Sequence, residues 1–127
     1  MNHIFILFAM FFFHIFDDYY LQGILAQMKQ KSWWINQKEY NSFYKYDYLV
    51  ALIMHSFSWS FMVHLPIIIY YYMNNINISV VYLILIIIQM IIHIIVDNAK
   101  ANTKSINLVI DQSIHIAQII ISYSILV

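Results

Sequence analysis

Four apolar runs, each broken by a few polar positions, dominate the chain. They cover residues 2–25, 47–73, 79–101 and 103–127. Each offers the ~20 residues a helix needs to cross a hydrocarbon layer. The one long polar stretch, 27–46, lies between the first two runs, and a short polar turn at 74–77 joins the second to the third. The pattern predicts an all-α, single-domain chain: a polytopic membrane protein built as an antiparallel bundle of four transmembrane helices. Residues 3–16 resemble the apolar core of a signal peptide. No basic residues precede them and no small-x-small site follows Asp17-Asp18-Tyr19-Tyr20, so they read as a retained first helix.

The polar interruptions follow a helical period. His14, Asp18 and Gln22 are spaced i, i+4, i+8 and share one face, while Asp17 lies about 100° round the helix and is expected at the interface. His93 and Asp97 repeat the one-turn spacing in the third run, as do Asp111 and His115 in the fourth; His55 and His64 fall in the second. At about 1.5 Å per residue, most of these groups fall within roughly 5–18 Å of one end of their helices, with His64 deeper, so four helices present ionisable groups at one level.

Composition sharpens the class. The chain is 63% hydrophobic and 9% charged, against about 25% charged residues in a soluble domain, so its surface cannot face water. All its cations are Lys. Lys29, Lys31, Lys38 and Lys45 lie in the stretch after the first run, Lys100 and Lys104 between the third and fourth, and the turn at 74–77 has none. The positive-inside rule makes the lysine side cytoplasmic and puts both termini on the far face of what is expected to be the cytoplasmic (inner) membrane. Trp33, Trp34, Tyr40, Phe43 and Tyr44 among those lysines mark 27–46 as a headgroup-level, interfacial segment, not a nucleic-acid patch. Without Cys, there are no disulfides and no thiolate ligands. The Ile-rich outer faces permit homo-oligomers without predicting them.

The repeated His/carboxylate pairs are the candidate chemistry. Helix bundles build metal sites from i, i+3 or i, i+4 ligands converging on the core. Imidazole with carboxylate suits Zn, Mn, Fe(II) or Ni. Seven candidate ligands (His14, Asp18, His55, His93, Asp97, Asp111 and His115) leave room for one or two divalent ions. Asp18, Asp97, Asp111 and Lys100 are also catalytic candidates, and Lys100 can pair with Asp97 at i, i+3 or reach the headgroups. Gln22, Gln89 and Gln112 are expected to orient the site. His64 is expected to satisfy a carbonyl freed by Pro66, and His3 to lie on the surface. The run of Tyr70, Tyr71 and Tyr72 reads as an aromatic belt. Thr103 or Ser105 is the expected cap of the fourth helix.

The motifs His14-x3-Asp18-Tyr-x-Leu-Gln22, His93-x3-Asp97-x2-Lys100 and Asp111-Gln112-x2-His115, with His55 between them, resemble the family catalogued as domain of unknown function 3307, small bacterial and phage membrane proteins. The resemblance spans essentially the whole chain and extends to proteins labelled membrane-bound metal-dependent hydrolases. Asp17 stands where a small residue is commoner, and the first loop is unusually rich in Lys and Trp. The resemblance implies a metal-dependent hydrolase. A site at headgroup depth fits an amphipathic, phosphate-bearing substrate. The single Gly excludes glycine-rich phosphate loops and serine nucleophile elbows. Two alternatives use the same residues: a structural or effector protein whose polar cluster fixes the bundle, and a proton or divalent-metal transporter.

Overall fold

The computed structural model describes residues 3–39 and 41–127; Asn2, expected in the first helix, and Tyr40, expected in the interfacial segment, lie outside the described residues. Among the described residues every regular element is helical. Helix α1 (His3–Ile15) runs into a π-helical turn, Phe16–Leu21, and so ends short of residue 25. Gly23 then takes φ +49, a left-handed conformation that costs glycine nothing, and the chain reverses. Two short helices follow, α2 (Leu25–Met28) and α3 (Lys31–Ile35).

Helix α4 (Asp47–Met73) passes through Pro66 without breaking. The Nδ1 of His64 lies 2.7 Å from the carbonyl of Ser60. That differs from the expected role, because the carbonyl one turn before Pro66 belongs to Met62. Helix α5 (Val80–Asn98) starts on Ser79, whose side chain accepts the Tyr82 N–H at 3.2 Å. It continues as a second π-helical turn, Ala99–Thr103. Helix α6 (Leu108–Leu126) is capped by Asn107, which accepts the Ile110 N–H at 3.0 Å. Thr103 and Ser105, the expected caps, instead donate back to the Ala99 carbonyl, at 3.0 and 3.4 Å, and close the π turn.

Four helical stretches are long and apolar enough to cross a membrane: His3–Leu21, Ser42–Met73, Val80–Thr103 and Leu108–Leu126. Helix α1 packs on α4 and α6, and α5 packs on the same two, so the four close a ring. Its outside is apolar, with Phe5, Phe8, Phe12, Phe57, Val80, Val81, Ile95 and Val109 all at least half exposed. One end of its interior is also apolar, filled by Ile6, Met10, Val63, Ile67, Ile119 and Leu126 around Trp59 and Tyr82. The other end buries the ionisable groups. Among the described residues, buried polar side chains outnumber buried apolar ones, the reverse of a water-soluble domain.

Candidate metal centre

The last turn of α1, the first third of α4, the last turns of α5 and the first turns of α6 meet at this polar end. His14, Asp18, His55, His93, Asp97, Asp111 and His115 are all buried there. Asp97 is the hub. Its Oδ2 lies 3.4 Å from His55 Nε2 and 3.7 Å from His93 Nε2, and its Oδ1 lies 3.4 Å from His115 Nε2. His55 Nε2 is also 3.2 Å from Asp18 Oδ1, and His115 Nε2 is 3.5 Å from Asp111 Oδ1. Three rings stack through the centre, with Trp59 to His93 at 4.3 Å and His93 to His115 at 4.2 Å between centroids.

Two sets of donor atoms could hold an ion: Asp18, His55 and His93, and His93, Asp97 and His115, with the atoms of each set within 4.8 Å of one another. Tetrahedral coordination with bonds of about 2.0–2.2 Å sets donor atoms roughly 3.3–3.6 Å apart; within these sets His115 to Asp97 is 3.4 Å, His55 to Asp18 3.2 Å and His93 to Asp97 3.7 Å. Hydrogen bonding points the same way. Both nitrogens of His93 and Nε2 of His115 are buried with no hydrogen-bond partner, which is costly unless something else takes the one lone pair each neutral ring offers.

The tautomers can be read from the partners. Gln118 Oε1 accepts at 3.1 Å from His115 Nδ1, so that nitrogen carries the proton and Nε2 turns its lone pair to the cluster. Gln118 is itself locked across the helix pair: it donates to the carbonyl and to Oε1 of Gln89 at 2.9 and 2.8 Å. Gln89 in turn donates to Ser122 Oγ at 3.1 Å. His14 behaves differently. Its Nδ1 accepts from Trp59 Nε1 at 2.8 Å, and its Nε2 donates to Gln112 Oε1 at 3.1 Å. Both nitrogens are committed, so His14 holds Gln112 in place where a ligand was expected. Gln112 donates to Asp18 at 2.9 Å and to Asp111 at 3.0 Å. Asp111, also expected as a ligand, stands outside both donor sets.

Three charged residues depart from expectation. Asp17 is buried, accepts from Ser58 at 2.6 Å and lies 3.7 Å from His55 Nδ1. An α-helix would have turned it away from Asp18; the π-helical turn over Phe16–Leu21 carries both aspartates inward. Lys100 pairs with Asp111 at 2.7 Å, not with Asp97, because the π turn at Ala99–Thr103 swings it towards α6. Lys29, expected among the headgroups, reaches Asp97 at 2.6 Å. Asn102 holds the backbone that carries it: its Oδ1 accepts the Lys31 N–H at 2.7 Å, and its Nδ2 donates to the Lys29 carbonyl at 3.0 Å. Of the expected orienting amides, Gln22 folds back onto the Asp18 carbonyl. His64 is buried outside the cluster, with its ring 6.0 Å from Tyr82, and His3 is exposed against Tyr70.

Sequence reasoning missed Asp17, Lys29, Trp59, Asn102 and Gln118. Gln118 carried a signal, standing one turn after His115. Trp59 stands one turn after His55 and was equally legible. No helical spacing points to Lys29 or Asn102, because their roles depend on how the chain reverses after Gly23. No protein-family model, curated protein or solved structure matches the chain.

Proposed function

We propose that the chain is an integral membrane, metal-dependent hydrolase of the family its motifs resemble. In this reading four antiparallel spans put the lysine-rich loops and the polar cluster at the cytoplasmic face of the inner membrane. The carrying observation is His93, a fully buried imidazole with neither nitrogen hydrogen-bonded, grouped with Asp97 one turn along its own helix and with Asp18 on the turn that ends α1. Charge supports it as well. Asp17, Asp18, Asp97 and Asp111 are buried against only Lys29 and Lys100, an excess of two negative charges when all are ionised and the histidines neutral. In a membrane each unbalanced charge costs about 2.5–3.5 kcal/mol on insertion scales, and one divalent cation removes both.

His55, His93 and His115 with Asp18 and Asp97 are the residues that would hold the ion. A bound divalent ion supplies a water of lowered pKa and polarises the bond to be cut. Asp18 and Asp97 stand ready to take the proton of the attacking water. The same carboxylates would return it to the leaving oxygen. Lys100, whose side chain is 37% exposed, can leave Asp111 to meet an anionic group.

Elemental analysis of the purified protein tests this. A stoichiometric divalent metal is expected, lost in His93→Ala and kept in His64→Ala, with chelator-sensitive release of phosphate from lipid phosphates. Protein that neither retains nor takes up a metal would refute it. One observation favours a second reading, in which the cluster only fixes the bundle: Lys29 and Lys100 already pair with two of the carboxylates. Asp18→Asn separates the two, because Asp18 belongs to a donor set and is held by His55 and Gln112. A scaffold tolerates an isosteric amide, since interhelical polar contacts average about 0.6 kcal/mol. A hydrolase loses activity at normal abundance.

A further inference from the structure

Two cavities reach the cluster from different sides. One, about 480 Å³, opens between the π turn of α5 and helix α2; Lys29, Lys100 and Lys104 line it, with Asp97 at its base. The other, about 640 Å³, is a gap beside α1 and α6 with walls of Phe11, Ile15, Tyr19, Tyr20 and Ile116, and with His14 and Gln112 at its inner end. One carboxylate oxygen links them: Asp111 Oδ2 accepts from Lys100, on the wall of the first, at 2.7 Å and from Gln112, at the end of the second, at 3.0 Å. A lysine-lined chamber and an apolar gap are therefore bridged through the same aspartate.

Lys104 adds an independent sign. It sits in the left-handed region, at φ 52, where Gly or Asn is the usual occupant and a lysine is strained. Asn at this position would relieve the turn, yet Lys stands there with its side chain on the chamber wall. Strain kept at a non-glycine residue points to function.

We infer that these cavities form one binding site for an anionic lipid, the phosphate monoester headgroup among Lys29, Lys100 and Lys104 and a hydrocarbon chain in the gap between α1 and α6. Lys104, beside Lys29 and Lys100 in their ion pairs, favours an anionic monoester over a zwitterionic headgroup, whose own cation it would repel. The flanking gap is walled by aromatic and aliphatic side chains, which a soluble phosphate would leave bare. Lipid binding stands on this geometry alone; hydrolysis of the bound headgroup rests on the reading proposed above.

The test offers the metal-loaded protein in detergent either dioleoyl phosphatidic acid, dioleoyl phosphatidylcholine or inorganic phosphate, with bound ligand read by native mass spectrometry and metal content measured on the same samples. Phosphatidic acid should be retained about tenfold over phosphatidylcholine. Lys104→Asn should lower its retention about fivefold, the share of one lysine near an anionic headgroup, with metal content unchanged. Lys38→Asn, an exposed lysine outside both cavities, should leave retention unchanged. Ile116→Phe, which fills the gap mildly, should lower lipid retention while sparing inorganic phosphate. Equal retention of the two lipids, equal losses in Lys104→Asn and Lys38→Asn, or phosphate bound as tightly as phosphatidic acid would overturn the lipid site. Protein that prefers phosphatidic acid yet binds no metal would overturn the hydrolase and leave the lipid site standing.

Discussion

Gln118→Met is the sharpest single perturbation. The substitution keeps length and volume and removes every hydrogen bond of the amide: the acceptor for His115 Nδ1 at 3.1 Å and the two donations to Gln89 at 2.9 and 2.8 Å. Without metal the cost is that of two interhelical contacts and one within α6, about 1–2 kcal/mol at an average near 0.6 each. With metal a second loss appears. His115 is no longer held with Nε2 facing the cluster, and loss of such an outer partner weakens metal binding about 10–100-fold. At saturating metal that adds roughly 1.4–2.8 kcal/mol. Denaturant titration in detergent, run with and without metal, separates the two contributions. Competition against a chelator of known affinity measures the second directly. Folded Gln118→Met with wild-type metal affinity would refute a ligand role for His115. Equal destabilisation with and without metal would favour the scaffold.

Three further outcomes follow from particular contacts. Asp97→Asn should cost more than the double variant Asp97→Asn with Lys29→Met, because the single change strands a largely buried ammonium; a coupling of about 1–3 kcal/mol in a double-mutant cycle is expected, and additivity would deny the Lys29–Asp97 pair. Gly23→Ala should lower stability by about 1–2 kcal/mol through its positive φ alone, since an added Cβ would meet nothing nearer than the Leu21 carbonyl oxygen at 3.8 Å; Gly23→Asn should recover part of the loss, and a silent Gly23→Ala would show that the turn can relax. In the proposed topology, Ser42→Cys reacts with impermeant reagents from the cytoplasmic side and Asn75→Cys from the other; the reverse would move the cluster to the opposite face.

The apolar runs and the i, i+4 pairs were legible because each depends on one helix at a time. His93 with Asp97 and Asp111 with His115 need only the helical repeat to share a face, and His55 needs only its depth. What stayed hidden departs from that repeat. Asp17 points inward because the end of α1 widens into a π-helical turn, and Lys100 turns to Asp111 because the end of α5 does the same. Neither widening has a sequence signal of the kind Pro or Gly gives. Lys29 was misplaced for another reason. Beside Trp33 and Trp34 a lysine has the composition of a headgroup anchor, and only the reversal after Gly23, held by Asn102, carries its ammonium back to Asp97. His14 was assigned to metal because its spacing to Asp18 matches the other pairs; that Trp59 and Gln112 consume both its nitrogens is a tertiary fact.

The same bundle contains its own control for the scaffold alternative. One layer further in from the His/Asp cluster, α5 and α6 are joined by Gln89, Gln118 and Ser122, neutral groups whose side-chain polar atoms all find partners. Amides suit that task, since they bridge helices without a net charge to desolvate. The cluster above them uses the opposite chemistry. Its carboxylates exceed its ammonium groups by two, and it leaves His93 Nδ1 and Nε2, His115 Nε2 and Asp111 Oδ1 unpartnered. Such a network is a poor way to glue helices, because each unmet buried group costs about 1–3 kcal/mol and an uncompensated charge costs more. A divalent cation reverses the balance: it takes the free imidazole lone pairs, cancels the excess charge and leaves the lysines to neutralise what remains. Where this chain needs only cohesion it uses glutamine, and the residues it gathers beside that layer are ones that could hold a metal ion.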